Sequence, residues 1–171
     1  AGMMSGMYGS KNGVKTIPGN LDTTYTSLLK AIKIANPIYT TAVTGKWHIS
    51  KPAKALHPIW HGADHYMGVL EGKVNAYDNW DKTENNITGN STDYATTYFT
   101  NDAINWINNQ NNPWFMWLAH IAPHSPFHIP PANMFTQPST NSQLKKYLAM
   151  IESLDYEVGR MLDSLSPADK A

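Results

Sequence analysis

Residues 38–50 read IYTTAVTGKWHIS. The opening IYTTAVT, residues 38–44, is β-branched and aromatic, a composition that suits a short buried strand. It runs straight into Gly45-Lys46-Trp47-His48, so a cation and a titratable ring follow the apolar run directly. Lys46 and His48 are two residues apart and on an extended chain point the same way. Just upstream, residues 22–36 carry apolar side chains at Tyr25, Leu28, Leu29 and Ile32. That is the i, i+3, i+4, i+7 stripe of an amphipathic helix, with Asp22 or Thr23 as N-cap and Asn36-Pro37 as its stop.

The same rhythm returns further on. Residues 93–109 recover a helical period through Phe99, Ala103, Trp106 and Ile107, and PWFMWLA at 113–119 reads as a strand buried on both faces. From Ser142, apolar residues at Leu144, Tyr147, Leu148, Ile151, Leu154, Val158, Leu162 and Leu165 predict a helix of about six turns with one buried face. Residues 50–92 are turn-rich and read as an irregular excursion with room for a short hairpin. Helix, strand, loop, helix, strand, loop, helix is the order of an α/β protein with a mostly parallel sheet flanked by helices. In such sheets ligands bind beyond the carboxyl ends of the strands. The two loops in that position are GKWHIS and HIAPHSPFHIP, which are also the two stretches richest in reactive side chains.

Composition narrows the class. The 171 residues suit a single domain, and 13 basic against 13 acidic residues leave no net charge. No basic face is advertised for nucleic acid, and no apolar run approaches the ~20 residues of a membrane span. The opening AGMMSGMYGSKNG lacks the features of a signal peptide. Without cysteine, these residues offer no disulfide, thiol or Cys–zinc chemistry. One arginine (Arg160) and abundant asparagine suggest a bacterial gene.

Seven histidines invite a metal reading. His120, His124 and His128 fall at i, i+4, i+8, but Pro123, Pro126, Pro130 and Pro131 exclude a helix there. In a loop each ring points its own way, and only one is expected to reach a shared site. His57, His61, Asp64 and His65 in HPIWHGADH mimic the spacing of some zinc motifs. With Pro58 and Gly62 among them, they read as ordinary polar loop residues, with metal ligation the alternative. Lys46 and His48 fit either a solvated turn or an anion site. His124 fits either a loop histidine bonded to a carbonyl or a member of that anion site.

Taken together, these stretches resemble the sulfatases of the alkaline phosphatase superfamily. GKWHIS resembles their GKWHLG signature, and MMSGMYGSKNGV resembles their TGRYPHRTGV stretch. HGADHYMG resembles the hGFDyfyG turn, the APH of HIAPHSPFHIP is similar to their APH motif, and YLAMIESLDYEVGRML resembles the helix YyamVeslDaqvGRiL. The likeness runs through nearly the whole chain in the right order. It implies an α/β alkaline phosphatase-like fold and hydrolysis of an aryl or carbohydrate sulfate ester. It also implies that Lys46, His48 and His124 line the sulfate pocket, His48 serving the nucleophile and His124 protonating the leaving oxygen.

The resemblance further implies a formylglycine nucleophile from a Cys/Ser-x-Pro-x-Arg motif, and a calcium ion held by acidic residues. Neither the motif nor those acids are found here: Ser5 has no proline two residues on. In the family the motif ends just before the stretch matching Ala1-Gly2-Met3-Met4. Residues 1–171 are therefore expected to be an internal fragment of the N-terminal catalytic domain, inactive alone and partnered by the rest of its parent. A periplasmic or secreted location is expected for such a bacterial enzyme. A phosphatase or phosphodiesterase of the same superfamily, or a relative that only binds sulfated glycans, are the alternatives.

Overall fold

The computed structural model describes residues 1–17, 19–50, 54–136 and 142–170. Its core is one five-stranded sheet in the order β4-β3-β2-β1-β5, formed by β1 (Thr40–Lys46), β2 (His65–Val69), β3 (Trp80–Glu84), β4 (Ile87–Ser91) and β5 (Trp114–Ala119). β1 runs parallel to both β2 and β5, and β3 and β4 add an antiparallel hairpin beyond β2. The helices are α1 (Gly2–Ser5), α2 (Gly9–Asn12), α3 (Leu28–Ala35), α4 (His57–Trp60), α5 (Ala95–Asn108) and α6 (Gln143–Ser164).

Side chains alternate across the sheet and split the core in two. Val43, Tyr66 and Trp47 pack with Leu29 of α3 and Met4 of α1 on one face. Met67 and Val69 pack with Phe99 of α5 and Met150 of α6 on the other. Thr44 ties the sheet to the second face by donating to Asp102 of α5 at 2.6 Å, a bond to a charged acceptor worth roughly 1.5–3 kcal/mol. No helix among the described residues is long and apolar enough to cross a membrane.

The parallel strands end together. Gly45 faces Gly68 in register, and a Cβ on Gly68 would sit 1.8 Å from the Gly45 carbonyl oxygen. A Cβ on Gly45 would sit 2.0 Å from the carbonyl oxygen of Ala119, and Gly45 itself has φ +105°. Three strands can close this tightly at their carboxyl ends only because two of the facing residues lack side chains.

Several elements depart from the sequence expectations. The first helix begins at Leu28 rather than near Asp22, because Asp22 accepts the Thr24 N–H in a local turn while Ser27 caps the helix through the Lys30 N–H. β1 lies two residues later than expected, after a turn in which Asn36 accepts the Ile38 N–H. The excursion at 50–92, of which residues 51–53 lie outside the described residues, holds the hairpin and also β2. At five residues with an internal glycine, HYMGV was too short to show a period.

β5 is half-exposed along its whole length rather than buried on both faces, because it is the edge of the sheet. α6 forms as predicted but turns a different face inward. Ala149, Met150, Ser153 and Glu157 are buried against the α5 side, while Leu144, Ile151 and Leu162 stand exposed.

Candidate active site

The carboxyl ends of β1, β2 and β5 deliver three loops to one edge of the sheet. β1 ends at Lys46, and the next two residues continue the pairing with β2. Trp47 N–H donates to the Val69 carbonyl at 3.0 Å and His48 N–H to the Leu70 carbonyl at 3.1 Å. His48 takes φ +53°, a left-handed conformation that costs a residue with a Cβ on the order of 1 kcal/mol. Strain of this kind clusters at functional positions. After β5, the chain turns through Ile121 and Ala122 to His124, whose N–H donates to the Ile121 carbonyl at 2.9 Å.

Lys46 and His48 are half-buried and His124 is exposed. Although 76 residues separate His48 from His124, the two rings are close enough for their charges to interact. Burial holds the His48 imidazole below its ordinary pKa, and the nearby Lys46 and His124 push it in the same direction. The Glu71 carboxylate opposes this. Burial likewise lowers the Lys46 ammonium. Among the described residues, Lys46 has no hydrogen-bond or ion-pair partner, and neither ring nitrogen of His48 is hydrogen-bonded. The His124 Nδ1–H donates to the Ser125 carbonyl at 2.8 Å. In the neutral ring this leaves Nε2 unprotonated.

Two clefts flank the start of the chain here. One of about 320 Å³ is bordered by Ala1–Met4, Lys46 and Trp117, and the other of about 440 Å³ by Ala1, Lys15, Trp47 and His48. Lys46 is thus a half-buried cation with no anion paired to it among the described residues, and its charge acts on His48.

The remaining histidines have other work. His57 is fully buried: its Nδ1 accepts the Trp47 indole N–H at 2.9 Å and its Nε2–H donates to the Leu21 carbonyl at 2.8 Å. His61 lies 4.5 Å from it, ring to ring, and is pushed down to about 4 by burial and by His57. His65 pairs with Asp102 at 3.0 Å, and Asp64 accepts from Lys33 and from the Thr41 N–H. HPIWHGADH is thus a fastening made of a helix turn and a strand start, not a loop of ordinary polar residues. No group of three or more acidic, histidine or cysteine side chains among the described residues stands in metal-binding geometry.

His120 packs against Phe99, with burial lowering it to about 4. His128 stacks on Tyr77 at 4.3 Å and bonds the Tyr94 hydroxyl at 3.0 Å. Of the three spaced histidines, only His124 acts on His48.

The sequence reading missed the contribution of β2. Leu70, Glu71 and Gly72 wall the site on the side of His48, and Tyr77 donates its hydroxyl to the His124 carbonyl at 2.8 Å. The available signal was MGVLEG, an apolar run closed by a charged residue and a glycine; Gly68 broke its period.

The Sulfatase family model matches residues 1–171. The chain is 27% identical to the uncharacterized sulfatase YdeN of Escherichia coli (strain K12), over 74% of this chain and 28% of that protein. The crystal structure of Ps i-CgsB superposes with a TM-score of 0.79 at 24% identity, covering 96% of this chain and 43% of the other. Ps i-CgsB has also been solved in complex with k-i-k-neocarrahexaose. BT4656, solved with its substrate D-glucosamine-2-N,6-O-disulfate, superposes with a TM-score of 0.71 at 19% identity, covering 95% of this chain and 51% of the other. At these identities the solved structures establish the fold alone, which is alkaline phosphatase-like. The chain spans between about a quarter and a half of the length of these relatives.

Proposed function

The chain belongs to the sulfatase family, and on that premise we propose that it supplies the oxyanion-binding part of the catalytic site of a sulfuric ester hydrolase. The observation that carries the reading is the Lys46 ammonium, unpaired among the described residues, with His48 and His124 at the joined carboxyl ends of three parallel strands. A sulfate ester carries one negative charge, and attack at sulfur builds more on the equatorial and leaving oxygens. Lys46, already desolvated, is preorganised to meet that charge. Burial and the Lys46 charge lower the His48 pKa, which favours the unprotonated ring that can accept a proton from a nucleophile's hydroxyl. His124, when both ring nitrogens carry protons, keeps its Nδ1–H on the Ser125 carbonyl and can give its Nε2 proton to the leaving oxygen, becoming the neutral ring.

Two components of the family's chemistry lie outside these residues. A formylglycine would supply the nucleophile, and its motif is expected immediately before the stretch matching Ala1–Met4. Ala1 and His48 border the same cleft, which supports that position. Calcium finds no fit here: the cluster's own charges are mainly positive, and the described residues contain no metal-binding group of side chains. No step is assigned to it. The sugar ligands of Ps i-CgsB and BT4656 favour a sulfated carbohydrate over an aryl sulfate as substrate.

The test is sulfate release from sulfated sugars and an aryl sulfate by the full-length protein. Lys46→Ala and His124→Ala should each lower kcat about 100-fold or more. The 171 residues alone should release none. Turnover indifferent to Lys46→Ala, or a preference for phosphate monoesters, would remove the proposal.

A further inference from the structure

Residues 70–77 leave the end of β2 for β3, and they touch both site histidines. At one end, the Leu70 carbonyl accepts the His48 N–H at 3.1 Å and so holds the residue that takes the left-handed turn. Gly72 then passes beneath the His48 ring. A Cβ there would lie 2.3 Å from Cε1, 2.6 Å from Nε2 and 2.7 Å from Nδ1. All three are atoms of one imidazole, so the space left by the missing side chain is the seat of that ring. Gly72 has φ outside the left-handed region, so its own backbone would accept alanine.

At the other end, Tyr77 is 3% exposed and donates its hydroxyl to the carbonyl of His124 at 2.8 Å. Its ring packs with those of Tyr94 and His128. Between these points Val74 is buried in the core with Met67 and Trp80, so the segment is anchored along its length.

We propose that residues 70–77 are the positioning arm of the site: Gly72 seats the imidazole of His48, Tyr77 seats the backbone of His124, and the anchored chain between them sets the spacing of the two rings. The physical demand is strict, because misplacing a reacting group by about 1 Å can cost up to 100-fold in rate. The kinetic side of the inference rests on the hydrolase reading; the positions of the rings do not.

Both arms can be tested in the full-length protein with Gly72→Ala and Tyr77→Phe. The three atoms nearest to the new Cβ of Gly72→Ala all belong to one side-chain ring, that of His48. Tyr77→Phe removes a single hydroxyl and keeps the ring packing, so it remains informative should the first variant not fold. Gly89→Ala in β4 is the control, since a Cβ there meets nothing within 4 Å. In ¹H–¹⁵N spectra of the imidazoles, Gly72→Ala should move the His48 signals and Tyr77→Phe those of His124. Each should lower kcat for the sulfate ester about tenfold or more with a smaller change in KM, while Gly89→Ala matches wild type. Imidazole signals unmoved in both variants would overturn the proposal, as would moved signals with full turnover. If the wild-type protein releases no sulfate, the hydrolase reading fails on its own and the spectra still decide the arm.

Discussion

Lowering the pH from 7 to 5 sets His61 against the fold. The ring is fully buried, its Nδ1 has no hydrogen-bond partner among the described residues, and its Nε2 makes only a 3.4 Å approach to the Leu21 carbonyl. Burial, then the neighbouring His57, takes it from 6.5 to about 4. The native state therefore keeps the ring neutral while the unfolded chain takes up a proton below about 6.5. Between these values the unfolded state binds more protons. The contribution to stability is complete above the unfolded pKa and is lost as pH falls toward the folded one.

Integrated from pH 7 to 5, the two values give a loss of about 2 kcal/mol from this one group. His57 acts in the same sense: burial lowers it, and a proton on Nδ1 would destroy the acceptor that holds the Trp47 indole. The assay is urea unfolding of wild type and His61→Leu at both pH values. Wild type should lose about 2 kcal/mol more than the variant across the step. Equal losses would refute the reasoning, as would a native His61 that titrates near 6.5 by NMR.

Two other substitutions probe the frame of the site. Gly45→Ala places a Cβ 2.0 Å from the Ala119 carbonyl oxygen at φ +105°; it should cost about 3 kcal/mol or more, read as a drop in Tm of about 10 °C. Glu157 is buried, accepting from Thr97 at 2.7 Å and from Arg160 at 2.6 and 2.9 Å. Glu157→Gln leaves a partly exposed guanidinium without its carboxylate and should lower the urea midpoint by about 1–2 kcal/mol equivalent.

The legible parts of the fold were those whose pattern is local. α5, α6 and β5 announced themselves through period and length, and Ala35 ends its helix where Asn36-Pro37 said it would. Orientation was harder, because the apolar stripe of α6 says that a face wants cover without saying which face α5 will meet. Ser153 and Glu157 were invisible as core positions, since a buried carboxylate depends on Thr97 sixty residues away. In the site, Lys46, His48 and His124 stood out because two reactive loops each followed a strand. Gly72 and Tyr77 did not. A glycine reveals its purpose only when the ring that fills its space is in place, and Tyr77 acts through a backbone carbonyl that any residue could have offered.

The open edge of β5 bears on how these residues behave at the bench. Trp114–Ala119 is six residues of WFMWLA with no charge, no proline and one row of backbone groups unpaired by any described strand. Nothing in the segment acts as a gatekeeper against a second copy adding itself in register. Concentrated solutions of the 171 residues on their own should therefore self-associate through this strand. A lysine in place of Met116, which is half-exposed and belongs to neither apolar cluster, is the change that would keep them dispersed.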